Sequence, residues 1–232
     1  MSHKVHPYAH RLVILRDWKS RWYGEAGKFR SFLKADVLLR EYLSEKLRPY
    51  FIDTIEFERG ANSYKIIVKT ARPGMIIGRS GEGVTKLRAD IMKQLNRWKI
   101  TVPKDVRLEV EEVRVPEKHA AVVGMQIAES LEKRMTFRRV MKQAIEKVSA
   151  NRDVQGVKVQ LSGPLGGADM ARRETLMRGR LPLQTLRADI DFARVQAHMP
   201  YGRIGIKVWI YRGEIFEAAK KSQVQNNKEL GG

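Results

Sequence analysis

Arg138, Arg139 and Lys142 stand at i, i+1 and i+4 in a segment whose apolar residues, Phe137, Val140, Met141 and Ala144, fall on the other side of a helix. At about 100° per residue the three cations span an arc of about 100°. One helix would bury one face and show a cationic one, and no acidic residue interrupts the run from Lys133 to Lys142. A solvated face normally mixes signs, so this pattern suits a run of phosphates. A second candidate is Gly78-Arg79-Ser80-Gly81, set between Ile76-Ile77 and an amphipathic segment. Its glycines let backbone approach a sugar-phosphate chain closely, and a following helix N-terminus offers free N–H groups to a phosphate.

Enzyme chemistry has fewer footholds. Cysteine is absent, which removes disulfides, thiol catalysis and Cys-based zinc sites, and fits a reducing compartment. Asp189 and Asp191 are i, i+2 and share a face if their segment is a strand. Two such carboxylates could hold Mg²⁺ for phosphodiester chemistry; ion pairing with neighbours such as Arg187 is the preferred reading. His3, His6 and His10 have no acidic partners nearby in the sequence, and their spacing reads as incidental. The glycine loop is no mononucleotide P-loop, since no Gly-Lys-Ser/Thr follows, and no dinucleotide fingerprint, since its glycines fall at 78, 81 and 83. No catalytic residue, metal or cofactor is therefore expected.

The elements that must position these residues follow from periodicity. Asp36 reads as an N-cap, followed by Val37, Leu38, Tyr42 and Leu47 at helical spacing up to Pro49. Strands are predicted over 52–59 and 64–70, joined by a Gly60-Ala61-Asn62 turn. Val84, Leu87, Ile91, Leu95 and Trp98 make a clear amphipathic helix. Val106, Leu108 and Val110 alternate as a strand. Val115-Pro116 marks a boundary. Residues 117–149 read as helix, with one apolar stripe up to Leu131 and a second from Phe137 that make it two. After Gly156 the period falls to two, clearly at Val157–Leu161 and Ile204–Ile210, weakly over 170–177 and 187–192. The expected fold is α+β. It has an arm over 1–34, a domain over 35–115, a two-helix plus mostly antiparallel sheet domain over 116–216, and a flexible tail over 217–232.

The balance of charge points the same way. In 232 residues, 45 Lys and Arg face 26 Asp and Glu, a net charge of +19. Two stretches hold most of it: 1–34 carries +6 and 133–187 carries +9. Nucleic acid is the default partner of such a chain, and an anionic membrane the weaker one. No apolar run approaches the ~20 residues a membrane-spanning helix needs. Trp18, Trp22 and Tyr23 are interleaved with cations; the rings read as packing on protein, their basic neighbours as RNA contacts. Lys4, Arg11, Arg16, Lys19 and Arg21 in the first stretch, with Arg172, Arg173, Arg178 and Arg180 in the second, are the candidate RNA contacts.

In its frame of helix, strand, strand, short helix, glycine loop, helix, strand, the segment 35–115 resembles a KH domain of the second topological type, whose loop clamps about four nucleotides. Longer blocks are more specific. Trp18-Lys19-Ser20-Arg21-Trp22-Tyr23, Leu165-Gly166-Gly167-Ala168, Leu181-Pro182-Leu183-Gln184-Thr185-Leu186-Arg187-Ala188-Asp189-Ile190-Asp191 and Tyr201-Gly202-Arg203-Ile204-Gly205-Ile206-Lys207-Val208-Trp209-Ile210 resemble the family of small-subunit ribosomal protein three, bacterial type. The likeness runs over about residues 3–216, with Ser80 where a Lys is common and Pro164 where a basic residue is common. It implies a cytoplasmic protein in the head of the small ribosomal subunit, bound to rRNA beside small-subunit proteins ten and fourteen. It further implies that residues matching Arg138, Arg139 and Lys142 line the channel by which mRNA enters and help unwind it. The competing reading is a free KH-domain regulator of transcription or translation, which the glycine loop alone would equally suit.

Overall fold

A computed structural model describes residues 5–60, 63–100 and 105–216; Lys4, His3 and the expected tail over 217–232 lie outside the described residues. Helices are α1 (Pro7–His10), α2 (Ala26–Lys46), α3 (Pro73–Ile77), α4 (Glu82–Arg97), α5 (Ala120–Glu132) and α6 (Phe137–Ser149). Strands are β1 (Ser20–Arg21), β2 (Ile52–Arg59), β3 (Ser63–Thr70), β4 (Asp105–Glu112), β5 (Gly156–Gly163), β6 (Arg172–Gly179), β7 (Ala188–Met199) and β8 (Gly202–Glu214). The chain divides into two compact units, one of Trp18–Pro116 and one joining residues 5–17 to 117–216. The basic N-terminal segment is thus shared between them at Asp17.

In Trp18–Pro116 the order is the one expected of a type II KH domain. The sheet runs β1-β2-β3-β4, with β2 antiparallel to β3 and β4 parallel to β3 along its whole length. A parallel neighbour requires a crossover, and α3, the glycine loop and α4 supply it. Helix α4 buries Leu87, Ile91 and Leu95 at steps of four. Helix α2 buries Ala35, Leu39 and Leu43 in the same way, and Leu47, just past its end, continues the stripe. Burying each such leucine or isoleucine contributes about 1.5–3 kcal/mol.

The start of α2 differs from expectation. The helix begins ten residues before Asp36, through Gly27. A helical glycine costs about 1 kcal/mol, but the early turns pack Phe29 and Phe32 against Trp22, with ring centroids 5.3 and 5.7 Å away. Asp36 caps nothing. It is buried in mid-helix, accepting hydrogen bonds from Trp22 Nε1 (2.7 Å), Tyr64 Oη (2.9 Å) and Arg59 Nη2 (2.6 Å). Burial and the Asp36 carboxylate together push the Tyr64 hydroxyl well above the usual phenol range. So the Trp22 ring packs on protein, as its sequence context suggested, whereas Trp18 and Tyr23 stay largely exposed.

In the second unit the sheet order is β6-β5-β8-β7 and every pairing is antiparallel. The two helices predicted over 117–149 are α5 and α6. They lie on one face, where Ile127, Leu131, Val140, Ile145 and Val148 meet Val157, Val159, Leu161, Ile206 and Val208 in one buried cluster. A smaller cluster of Ala188, Ile190, Phe192, Trp209 and Tyr211 gathers Leu181 and Leu183. Strand β7 runs to Met199, seven residues past the predicted segment, because exposed Arg194, Gln196 and His198 pair across with β8.

Candidate nucleic-acid interface

Helix α6 presents the surface its periodicity promised. Val140, Met141, Ile145 and Val148 are buried, while Arg138, Arg139 and Lys142 are exposed. None of the three has a carboxylate partner among the described residues. Strand β6 runs along the edge beside α6 and adds to this face. Its residues Arg172, Leu176 and Arg178 are in register with Gly163, Val159 and Val157 of β5. Side chains of paired residues share a face, so Arg172 and Arg178 lie on the α6 side. Arg172 sits 5.4 Å from the Phe137 ring centroid, and Arg178 donates to Ser149 Oγ at 3.1 Å. One carboxylate, Glu174, shares this side, 3.9 Å from Arg172. Arg173 points to the opposite face, and exposed Arg180 follows the strand. Period two in 172–178 could have made that split from sequence. Arg134, exposed at the turn between α5 and α6 with φ +63°, belongs to the same basic run and was not singled out.

The glycine loop is built as a tight backbone turn. Gly78, Ser80 and Gly81 have φ of +70°, +52° and +80°. A Cβ on Gly83 would come within 2.3 Å of the Ile76 carbonyl oxygen, so only glycine lets α4 start so close under α3. Arg79 and Ser80 are exposed at the tip, with Met75 and Ile77 exposed on the preceding helix. Arg79 is the loop's own cation. Glu82, at the first position of α4, pairs with Lys86 at 3.1 Å, placing negative charge beside the helix N-terminus.

The N-terminal candidates have other employment. Arg11 is fully buried. Its guanidinium donates to the carbonyl oxygens of Pro7 (3.1 Å), Leu183 (3.0 Å), Thr185 (2.9 Å) and Ala188 (2.7 Å). Burial pulls its pKa below the free guanidinium value, opposed by nearby Asp189. As placed, it offers nothing to a phosphate and instead fastens residues 5–17 to the loop before β7. Arg16 bonds to Asp189 at 2.5 Å. Arg21 is paired to Glu56 and Glu58, both at 2.7 Å. Lys19 is half-buried where its carbonyl receives the Phe57 N–H. The arm's cations are thus largely structural, for a reason no local pattern contains: their partners lie up to 177 residues away.

The acidic pair is committed as well. Asp191 accepts the Ala120 N–H at 2.8 Å, capping α5 from outside, and Arg212 Nη2 at 3.1 Å. Asp189 takes Arg16. Arg187, the partner expected from sequence, pairs with Glu214 instead. On β7 both carboxylates alternate with buried Ala188 and Ile190 and meet one cation, Arg212, at 3.9 and 3.1 Å, so they share a face but are taken up in ion pairs. His6 packs edge-on against Phe192, with centroids 4.7 Å apart.

Comparison with known proteins matches two family profiles: the KH domain over residues 38–118, and the ribosomal protein S3 C-terminal domain over residues 127–210. Small ribosomal subunit protein uS3 of Caldicellulosiruptor saccharolyticus is 46% identical over 215 residues, covering 93% of this chain and 94% of that protein. The protein of that name from Pediococcus pentosaceus is 43% identical over 232 residues, all of both chains. That of Pseudomonas paraeruginosa is 45% identical, covering 93% and 91%. With a KH unit, an S3-type C-terminal unit and this identity along essentially its whole length, the chain belongs to the ribosomal protein S3 family, uS3.

Proposed function

We propose that this chain holds rRNA in the small ribosomal subunit head and guides incoming mRNA across α6, where Arg138, Arg139 and Lys142 help open structured message. Membership of the family makes it a structural ribosomal protein rather than an enzyme, RNA-binding, and in bacteria cytoplasmic. The observation that carries the finer reading is the unpaired cationic arc of α6 on a helix whose other face is locked in a core. Rigid, exposed cations can take successive phosphates of a single strand without first breaking ion pairs. They would bind an extended strand better than a hairpin stem, and so favour the opened state as the ribosome advances. No nucleotide site is needed, because translocation supplies the work.

The remaining assignments follow that frame. Gly78, Arg79, Ser80 and Gly81 approach RNA backbone through the exposed turn of the KH unit. Arg172, Arg173, Arg178 and Arg180 extend the rRNA contacts along β6. Small-subunit proteins ten and fourteen are the proposed neighbours. The modules 35–115 and 116–216 divide the work between rRNA grip and mRNA path. The test replaces Arg138, Arg139 and Lys142 together with Ala in assembled ribosomes and times translation through a hairpin and through an unstructured message. Selective slowing on the hairpin is expected. Equal slowing on both overturns the unwinding role.

A further inference from the structure

Beside the N-terminus of α6 lies a hollow of about 850 Å³, within the size range of sites for small organic groups. Its lining includes Met135, Phe137 and Met199, with Tyr201 at the β7–β8 turn and Arg134, Arg138 and Arg172 among its cationic members. No carboxylate is among the lining residues. Two arginines approach one ring: Arg138 and Arg172 lie 5.7 and 5.4 Å from the Phe137 centroid. Tyr201 is 46% exposed although it borders an apolar floor. Gly166, with φ +71°, also lines the hollow, and a Cβ there would lie at ordinary contact distance from Phe137, 4.0 Å.

We propose that this hollow receives one unstacked nucleobase of an RNA strand, with Tyr201 and Phe137 supplying aromatic surface and Arg134, Arg138 and Arg172 meeting the flanking phosphates. A planar apolar group joined to negative charge is what such a lining selects. Bases stack on aromatic rings with little regard to sequence, for about 1–3 kcal/mol each, or about 5- to 150-fold in affinity. The hollow shares Arg138 with the cationic face of α6, so a strand crossing that face passes its mouth. This rests on the reading of α6 as an RNA contact. It adds that the contact includes a base, so that the surface favours unpaired strands over the backbone of any duplex. The same chemistry would admit a free nucleoside monophosphate, though more weakly, without neighbouring phosphates.

The test uses the full chain and two single-stranded RNAs of equal length, one with a central 2-aminopurine and one abasic at its centre. The wild type binds the base-bearing strand at least 5-fold more tightly, and 2-aminopurine fluorescence is quenched. Tyr201→Ala loses preference and quenching, whereas Tyr201→Phe keeps both. Adenosine monophosphate competes at millimolar concentration with the wild type only. Equal wild-type affinity for both strands, or full preference in Tyr201→Ala, overturns the proposal. Arg139→Ala with Lys142→Ala separates the two ideas, because neither residue lines the hollow. It weakens both strands alike if α6 is an RNA contact. If it weakens neither while the base preference stands, the α6 reading fails and the base site survives.

Discussion

Two basic surfaces in this chain have opposite fates. On the outer face of the KH sheet the described cations of β1, β3 and β4 meet carboxylates: Arg21 between Glu56 and Glu58, Lys65 at Glu109 (2.7 Å), Lys69 at Glu56 (3.1 Å) and Glu111 (3.5 Å), and Arg107 at Asp105 (2.8 Å). On α6 Arg138, Arg139 and Lys142 meet none among the described residues. Both surfaces are rich in Lys and Arg, yet only the second retains a positive field near its surface. Cations neutralised in place gain little from a phosphate, because binding must first break their existing pairs. Net charge thus identifies the kind of partner, and the distribution of carboxylates decides which face it meets.

The largest effect should come from removing a cation that RNA never sees. Arg11→Met keeps the aliphatic stem but withdraws the donors serving four carbonyl oxygens. Buried acceptors left unsatisfied cost about 1–3 kcal/mol each, relieved in part by water. A loss of about 3 kcal/mol or more in urea unfolding of the free chain is expected, with the salt dependence of RNA binding unchanged in the folded fraction. A loss below about 1 kcal/mol would mean that Arg11 is not the fastening it appears in the structure, and would blur the contrast between structural and RNA-facing cations.

That contrast also marks what the sequence disclosed. The α6 surface was legible because helix period and local charge are both short-range properties. So were the order of the KH elements, with β2 predicted to its bounds, and the two helices over 117–149. The beginning of α2 was not, because a favourable cap residue argued locally for Asp36 while packing of Phe29 and Phe32 on Trp22 decided otherwise. Arg11 and Arg16 carry no local mark of burial; Ala188 and Asp189, which claim them, lie beyond any sequence window. Strand β6 read weakly because an edge strand with exposed residues on both faces shows no clean alternation.

A middle-sized effect separates the two surfaces by salt. For single strands each phosphate contact contributes about 0.7 to the slope of log affinity against log salt. Replacing Arg138, Arg139 and Lys142 together with Ala should reduce that slope by about 2, leaving the variant about 16-fold less sensitive between 50 and 200 mM salt. Arg21→Ala, with its half-exposed pair to Glu58, should leave the slope alone and cost under about 1 kcal/mol of stability. Equal slope changes in the two variants would erase the distinction between paired and unpaired surfaces.

The smallest effect concerns a pair at the surface of the KH unit. Lys46 of α2 donates to Asp90 of α4, and that hydrogen bond, reinforced by the ammonium charge, holds the Asp90 carboxyl below the usual aspartate range. A carboxyl depressed by folding binds its proton more weakly in the folded chain than in the unfolded one. Its contribution to stability is therefore complete above the ordinary aspartate pKa and is lost as pH falls through the lower folded value. Lys46→Met should move the Asp90 titration, followed by carboxyl-carbon NMR, back toward the free value, with only a slight loss of stability at neutral pH because the pair is exposed and screened. An Asp90 titration indifferent to Lys46→Met would show the pair to be unformed in solution. Lys46 would then move from the neutralised class to the free one, and the KH unit would carry an unneutralised cation on α2.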